Sequence, residues 1–241
     1  MRRRNKFWRK SDWQGKKQKR QFDIQKFFAS VIVISLPLMI FCLSANLVMR
    51  MDDIYEYNLD ASGVMNNTNL STSKEDVVSS ITRYMQHKTD DFTLMENVEY
   101  EPEQLYSVRD KMAMRQTRQL LDVLLVIGGL MFAVSLIAYF FLIRWRVKDI
   151  FMKRFKLSFI VLMIIEAVNV LVVSLEPLRK ATFGRFILMR FPDDDNLTFL
   201  LSKSFPVQIV VLEAAIGLIV MLILTYLTWQ VAGRRKMFKR F

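Results

Sequence analysis

Four long apolar runs, Phe27–Met49, Leu120–Ile143, Leu157–Leu175 and Pro206–Val231, constrain this chain more than any other feature. An α-helix needs roughly 17–25 residues to cross a bilayer core of about 30 Å, and each run has about that length. A soluble core helix is rarely so long without a polar face. The runs predict a mainly α membrane protein with four transmembrane helices. The 70-residue connection between the first two is the one piece large enough to form a small extracytoplasmic domain.

The flanks set an orientation. Residues 1–26 carry eleven Lys and Arg against Asp12 and Asp23. The loop 144–156 and the tail 232–241 are basic as well, whereas Arg50–Gln119 is acidic on balance and Glu176–Phe205 is nearly neutral. Lys and Arg collect on the cytoplasmic side of membrane proteins. Both termini inside, with 50–119 and 176–205 outside, satisfies every flank at once and predicts a multi-pass membrane protein with both termini cytoplasmic. Trp145 and Trp229 fall at the inner ends of the second and fourth runs, at headgroup level. The net charge of +12 does not point to nucleic acid. It sits beside membrane helices, where anionic lipid is the expected partner. Phe7, Trp8 and Trp13 among the N-terminal charges would let that tail lie on the inner leaflet. The first run reads as a retained signal anchor, because it is too long for a signal-peptide core and no small-residue cleavage site follows it. Cys42 lies within it and is expected to pack.

The first outer segment shows local order. Thr72 to Glu75 reads as a capping box, and Val77, Val78, Ile81, Tyr84 and Met85 then recur at helical spacing up to about His87. Phe92, Leu94, Val98 and Tyr100 alternate weakly, as in a short strand. Pro102 suits the first turn of a new helix that continues through Leu105, Val108 and Met112 toward the second span. The second outer segment is strongly apolar for a loop. It reads either as a lid packed on the first segment or as a surface lying on the outer leaflet, and the two are compatible.

Inside the membrane, Glu166 lies near the middle of the third helix with Asn169 one turn on, and Glu213 lies about two turns into the fourth. Asp122 stands at the outer end of the second. A carboxylate at the bilayer centre costs about 2.5–3.5 kcal/mol on insertion scales. Glu166 is therefore expected to be protonated or to face the bundle with a partner. An interhelical hydrogen bond is the plainer expectation and a proton path the sharper one, and no chain of such residues crosses the membrane. There is no P-loop, metal-ligand cluster or nucleophile-elbow motif, so no cofactor and no metal is expected.

Three stretches carry a resemblance. Asn67-Thr-Asn-Leu70 through Glu75-Asp76 with its helix to Tyr84-Met85, Glu101-Pro-Glu103-Gln-Leu-Tyr106-Ser107-Val-Arg-Asp110, and Phe183-Gly-Arg-Phe186-Ile-Leu-Met-Arg-Phe191-Pro resemble corresponding stretches of one bacterial integral membrane family. That family contains the lipoprotein intramolecular transacylase of low-GC Gram-positive bacteria. The resemblance implies acyl transfer from the glyceryl group of a lipoprotein's lipidated N-terminal cysteine to its α-amino group, with diacyl lipoproteins and membrane lipids as partners. It also implies a histidine in each outer loop. Here the chain departs: Tyr106 or Ser107 stands where the first should be, Phe183–Phe191 holds none, and the single histidine is His87.

Candidate catalytic groups are therefore His87, Glu103, Tyr106 and Asp110. Histidine's ordinary pKa near 6.5 suits proton transfer, which a tyrosine or carboxylate would need a large shift to match. Arg185, Arg190, Phe183 and Phe186 are the candidate lipid- or substrate-binding residues. The absent motif histidines predict a diverged enzyme with weak activity. The alternative is a non-catalytic protein that binds a lipid or a membrane protein partner through its outer loops.

Overall fold

The computed structural model describes residues 24–63, 65, 72–98, 101–145, 148–175, 177–178, 197, 200–201 and 204–233. The N-terminal tail and Phe183, Phe186, Arg185 and Arg190 lie outside them, as do Tyr100 and Arg234 onward. Four long helices correspond to the four apolar runs: α1 Ile24–Val48, α4 Val108–Arg144, α5 Lys148–Ser174 and α6 Phe205–Gly233. All four are long and apolar enough to cross a membrane. The connection between α1 and α4 holds two shorter helices, α2 Asp52–Ser62 and α3 Lys74–Met85, and a hairpin of β1 Met95–Val98 and β2 Glu101–Gln104.

α1 is the hub. It packs against α4, α5 and α6, and α5 also packs against α6, whereas α4 touches α5 only lightly. The core of the half near the termini is apolar: Ala29, Ile32, Leu36 and Ile40 meet Ala138, Leu142, Phe155, Leu162 and Met221. Lipid is as apolar as these side chains, so close packing and polar contacts hold membrane helices together. Both are present. Gly128 brings α4 so near α1 that an added Cβ would lie 2.9 Å from Leu43 Cδ2. Ser135 donates to Ser35 across 2.8 Å, Tyr139 and Thr228 hydroxyls lie 2.5 Å apart, and Asn46 Nδ2 donates to the Leu121 carbonyl. Val126, Leu130 and Phe140 of α4, with Ile164 and Leu171 of α5 and Leu222 of α6, are exposed, as lipid-facing positions should be.

At the other end a cap is built on the bundle. A helix rises about 1.5 Å per residue, so the 37 residues of α4 span about 55 Å and must project well beyond a core of about 30 Å. Its first turns join the cap through Met114 and Leu121, which share a core with Ile54, Tyr55, Leu59, Val77, Ile81, Met85 and Phe92. Leu197, Leu200, Leu201 and Phe205 from the second connection enter the same core. In those described residues the apolar connection acts as a lid packed on the first segment. Tyr55 anchors the junction: its hydroxyl donates to the Met49 carbonyl at 2.9 Å and its ring meets Phe205 at 5.4 Å.

Local signals hold with shifts. α3 is capped by Ser73, whose Oγ accepts from the Asp76 amide, one residue after the expected Thr72 start. All five periodic residues, Val77, Val78, Ile81, Tyr84 and Met85, are buried. Pro102 does not open a helix. It sits in β2 opposite Asn97, and α4 starts at Val108 under a capping box in which Ser107 and Asp110 bond each other's amides. Ser107 supplies the side-chain acceptor that a helix start needs and Pro102 cannot.

Candidate functional site

α3 ends in a Schellman turn, with Lys88 N bonded to Arg83 O at 2.8 Å and His87 N to Tyr84 O at 3.2 Å. The residue at its left-handed position is usually glycine. Here it is His87, at φ 59°. A left-handed residue with a Cβ costs roughly 1–2 kcal/mol, so other contacts must hold it there. The turn aims the imidazole at α4.

His87 Nε2 lies 2.8 Å from Asp122 Oδ1. On the other side of the ring, Arg118 Nε donates to Nδ1 at 3.1 Å, and Arg118 Nη2 lies 2.6 Å from it. A guanidinium only donates. The bonding pattern therefore assigns Nδ1 as the acceptor and places the ring hydrogen on Nε2, pointing at Asp122. Asp122 Oδ1 also accepts from Arg50 Nη2 at 2.9 Å. Arg50 is fixed in turn, because Gln86 donates to its carbonyl at 2.7 Å. Arg118 has two further anchors: its Nη1 donates to the Thr89 carbonyl at 3.1 Å, and its guanidinium lies over the Tyr84 ring, 4.6 Å from the centroid.

This cluster opens into a groove of about 830 Å³ between the cap and α4, walled by Tyr84, His87 and Phe92 on one side and Met112, Arg115 and Asp122 on the other. The His87 side chain is 41 % exposed, so the groove's contents can reach it. A carboxylate holding one nitrogen of an imidazole that lines a groove is an arrangement fit for general acid–base work.

The other candidates are placed differently. Tyr106 is buried, its ring stacked on Phe92 at 4.0 Å and its hydroxyl 2.8 Å from Ser80 Oγ. Burial pushes its phenol well above the usual tyrosine range, which keeps it protonated. Asp110, fully buried, caps α4 through Ser107. Glu103 lies in β2 opposite Glu96. Arg118 and Arg50 were not singled out from the sequence, and Asp122 only as an acid at a helix end. A signal for one pair exists: Arg118 and Asp122 are four residues apart, so they share a helix face.

A second polar cluster lies within the membrane. Glu166 and Glu213 are both buried. Asn169 bonds not Glu166 but Glu213 Oε2 on the neighbouring helix, at 2.9 Å. Glu166 Oε1 reaches instead toward Gly217, 3.1 Å from where a Cβ would stand. Neither oxygen of Glu166 has a hydrogen-bond partner among the described residues. No group of three metal-ligating side chains occurs among them.

Residues 30–195 match the family described as Lipoprotein intramolecular transacylase Lit. The chain belongs to the Lit family. Two solved structures share its fold: in meso structures of the membrane-integral lipoprotein intramolecular transacylase Lit from Bacillus cereus, each with one histidine replaced, by alanine in one and arginine in the other. They are 14% and 13% identical to this chain, cover 94% of it and 99% of their own length, and superpose with TM-scores of 0.66. No curated protein matches by sequence. Family and fold make this Lit-family chain a multi-pass membrane protein.

Proposed function

We propose that this Lit-family protein transfers an acyl chain within a lipoprotein, from the glyceryl ester of the lipidated N-terminal cysteine to its α-amino group, and that His87 is the acid–base group. The observation that carries the reading is the His87–Asp122 pair, held at 2.8 Å and opening on the groove between cap and α4. The reaction needs one group to take a proton from the amine and to return one to the glyceryl oxygen. Histidine is the side chain suited to both tasks near neutral pH. His87 stands upstream of the motif positions to which the family resemblance pointed, and Asp122 supplies the orienting carboxylate that such a base requires. The charge pattern supports an outward-facing groove, at the surface of the cytoplasmic membrane where a lipoprotein's lipidated end lies.

The test is expression in a host that makes diacyl lipoproteins, followed by mass analysis of a lipoprotein's N-terminal peptide. The N-acylated lyso form should accumulate with the wild-type chain and disappear with His87→Ala at equal expression. No lyso product from a well-expressed wild-type chain would favour the non-catalytic binding protein instead.

A further inference from the structure

We propose that Arg118 is a second catalytic group, which caps the basic nitrogen of His87 in the free protein and hydrogen-bonds the substrate's ester carbonyl oxygen during transfer. The proposal rests on the reading of His87 given above. Its starting point is a conflict in the geometry. A general base needs a free lone pair. The neutral ring has one, on Nδ1, and Arg118 covers it from two nitrogens, at 3.1 and 2.6 Å. The other nitrogen offers no alternative, because its hydrogen is turned toward Asp122, which Arg50 also holds. His87 can take a proton only after Arg118 has left Nδ1.

The remaining contacts of Arg118 say where it can go. Its bond to the Thr89 carbonyl and its seat over Tyr84 do not involve His87, so they can tether the guanidinium while Nε and Nη2 turn away from the ring. Both Arg118 and His87 line the same groove. An ester carbonyl brought to Nδ1 therefore meets the planar fork of donors that it displaces. The exchange suits the chemistry. The amine nitrogen attacks the ester carbon, and its proton passes to the vacated Nδ1. The carbonyl oxygen gains negative charge, which the guanidinium stabilises. The bond from carbon to the glyceryl oxygen then breaks, and His87 Nδ1–H gives its proton to that oxygen. One ester becomes one amide and one hydroxyl, with no further reactant. The guanidinium stays charged throughout, so its role is electrostatic.

The single histidine makes the cap directly observable. In the full-length chain in detergent, with ring-labelled histidine, nitrogen NMR should report the Nε2–H tautomer. Arg118→Ala should let the Nδ1–H form appear. With a synthetic diacylglyceryl-cysteine peptide, Arg118→Ala should lower kcat about 100- to 1000-fold with little change in KM, and added guanidinium at sub-denaturing concentration should restore part of the loss. Arg118→Lys, which keeps the charge and guards against a folding defect, should still lose roughly tenfold for want of the fork. An Nδ1–H tautomer in the wild type would overturn the cap. Full turnover of Arg118→Ala beside an inactive His87→Ala would overturn Arg118 alone and leave the histidine reading standing. Full turnover of His87→Ala, or none by the wild type, would overturn both.

Discussion

His87 occupies a backbone conformation that suits glycine better than histidine, and that conflict makes it testable. The left-handed turn at φ 59° aims the ring at Asp122. His87→Gly relieves the strain but loses the side-chain bonds, whereas His87→Ala keeps the strain and loses the same bonds. The glycine variant should therefore be the more stable of the two by about 1 kcal/mol, with both inactive. Equal melting temperatures would show that the turn is not strained. Tyr106 invites the opposite pair of expectations. Its hydroxyl meets only Ser80 among the described bonds, so Tyr106→Phe should cost about 1 kcal/mol and leave turnover intact. A large loss of turnover at preserved stability would return the phenol to the list of acid–base groups. Burial also pushes the phenols of Tyr55 and Tyr106 upward. Their folded values lie above the unfolded value of about 10, so their stabilising contribution is complete below that pH. It is lost as the pH rises from there toward the folded values, and alkaline melting curves of Tyr106→Phe should show a smaller loss. Within the membrane, Glu166→Leu should be neutral or stabilising, because it removes a buried carboxyl that has no partner among the described residues. Asn169→Leu, which strands Glu213, should destabilise by roughly 1–2 kcal/mol; the reverse order in detergent melts would restore Glu166 as the structural link.

At the scale of elements, the legible parts are those whose cause is local. The four spans follow from run length alone. The buried face of α3 follows from five apolar residues at helical spacing. Caps are harder to read, since Thr72 with Glu75 and Ser73 with Asp76 both place an acid three residues on and only the Ser73–Asp76 bond decides. Pro102 suits either a helix start or an edge strand, and what decided was the better cap five residues on. Ser107→Ala should accordingly cost about 1 kcal/mol, measurable as a lower melting temperature of the cap. No change would mean that packing of Met114 and Leu121 fixes the start of α4 unaided. The site was the least legible part. His87, Asp122 and Arg118 come together because a Schellman turn and a helix projecting past the membrane meet in space, and Arg50 joins from the end of α1. The Arg118–Asp122 spacing was a local sign of a shared face. Nothing local says that the face meets His87.

At the scale of the whole molecule, one geometric fact links the fold to the proposed function: α4 is too long for the membrane, and its excess carries Arg118 up to His87. Lys111, Arg115, Arg118 and Asp122 follow one another along the projecting turns. The cap packs against those turns, so the groove ends beside the start of the apolar run at Leu120. In the proposed reaction, a lipoprotein held by its own acyl chains would present its ester and amine at the outer end of the span, so the cap would need to recognise little beyond the headgroup-depth chemistry. The proposed activity requires the cap to lie outside the cell and the α4–α5 turn inside. Single cysteines in place of Tyr57, an exposed residue of the cap, or of Lys148 distinguish the two faces in a Cys42→Ser background. A membrane-impermeant maleimide applied to whole cells should label the Tyr57→Cys protein at once and the Lys148→Cys protein only after lysis. Labelling of Lys148→Cys alone would invert the molecule. It would put His87 on the leaflet where no mature lipoprotein end lies, and the transacylase reading would fall with the topology.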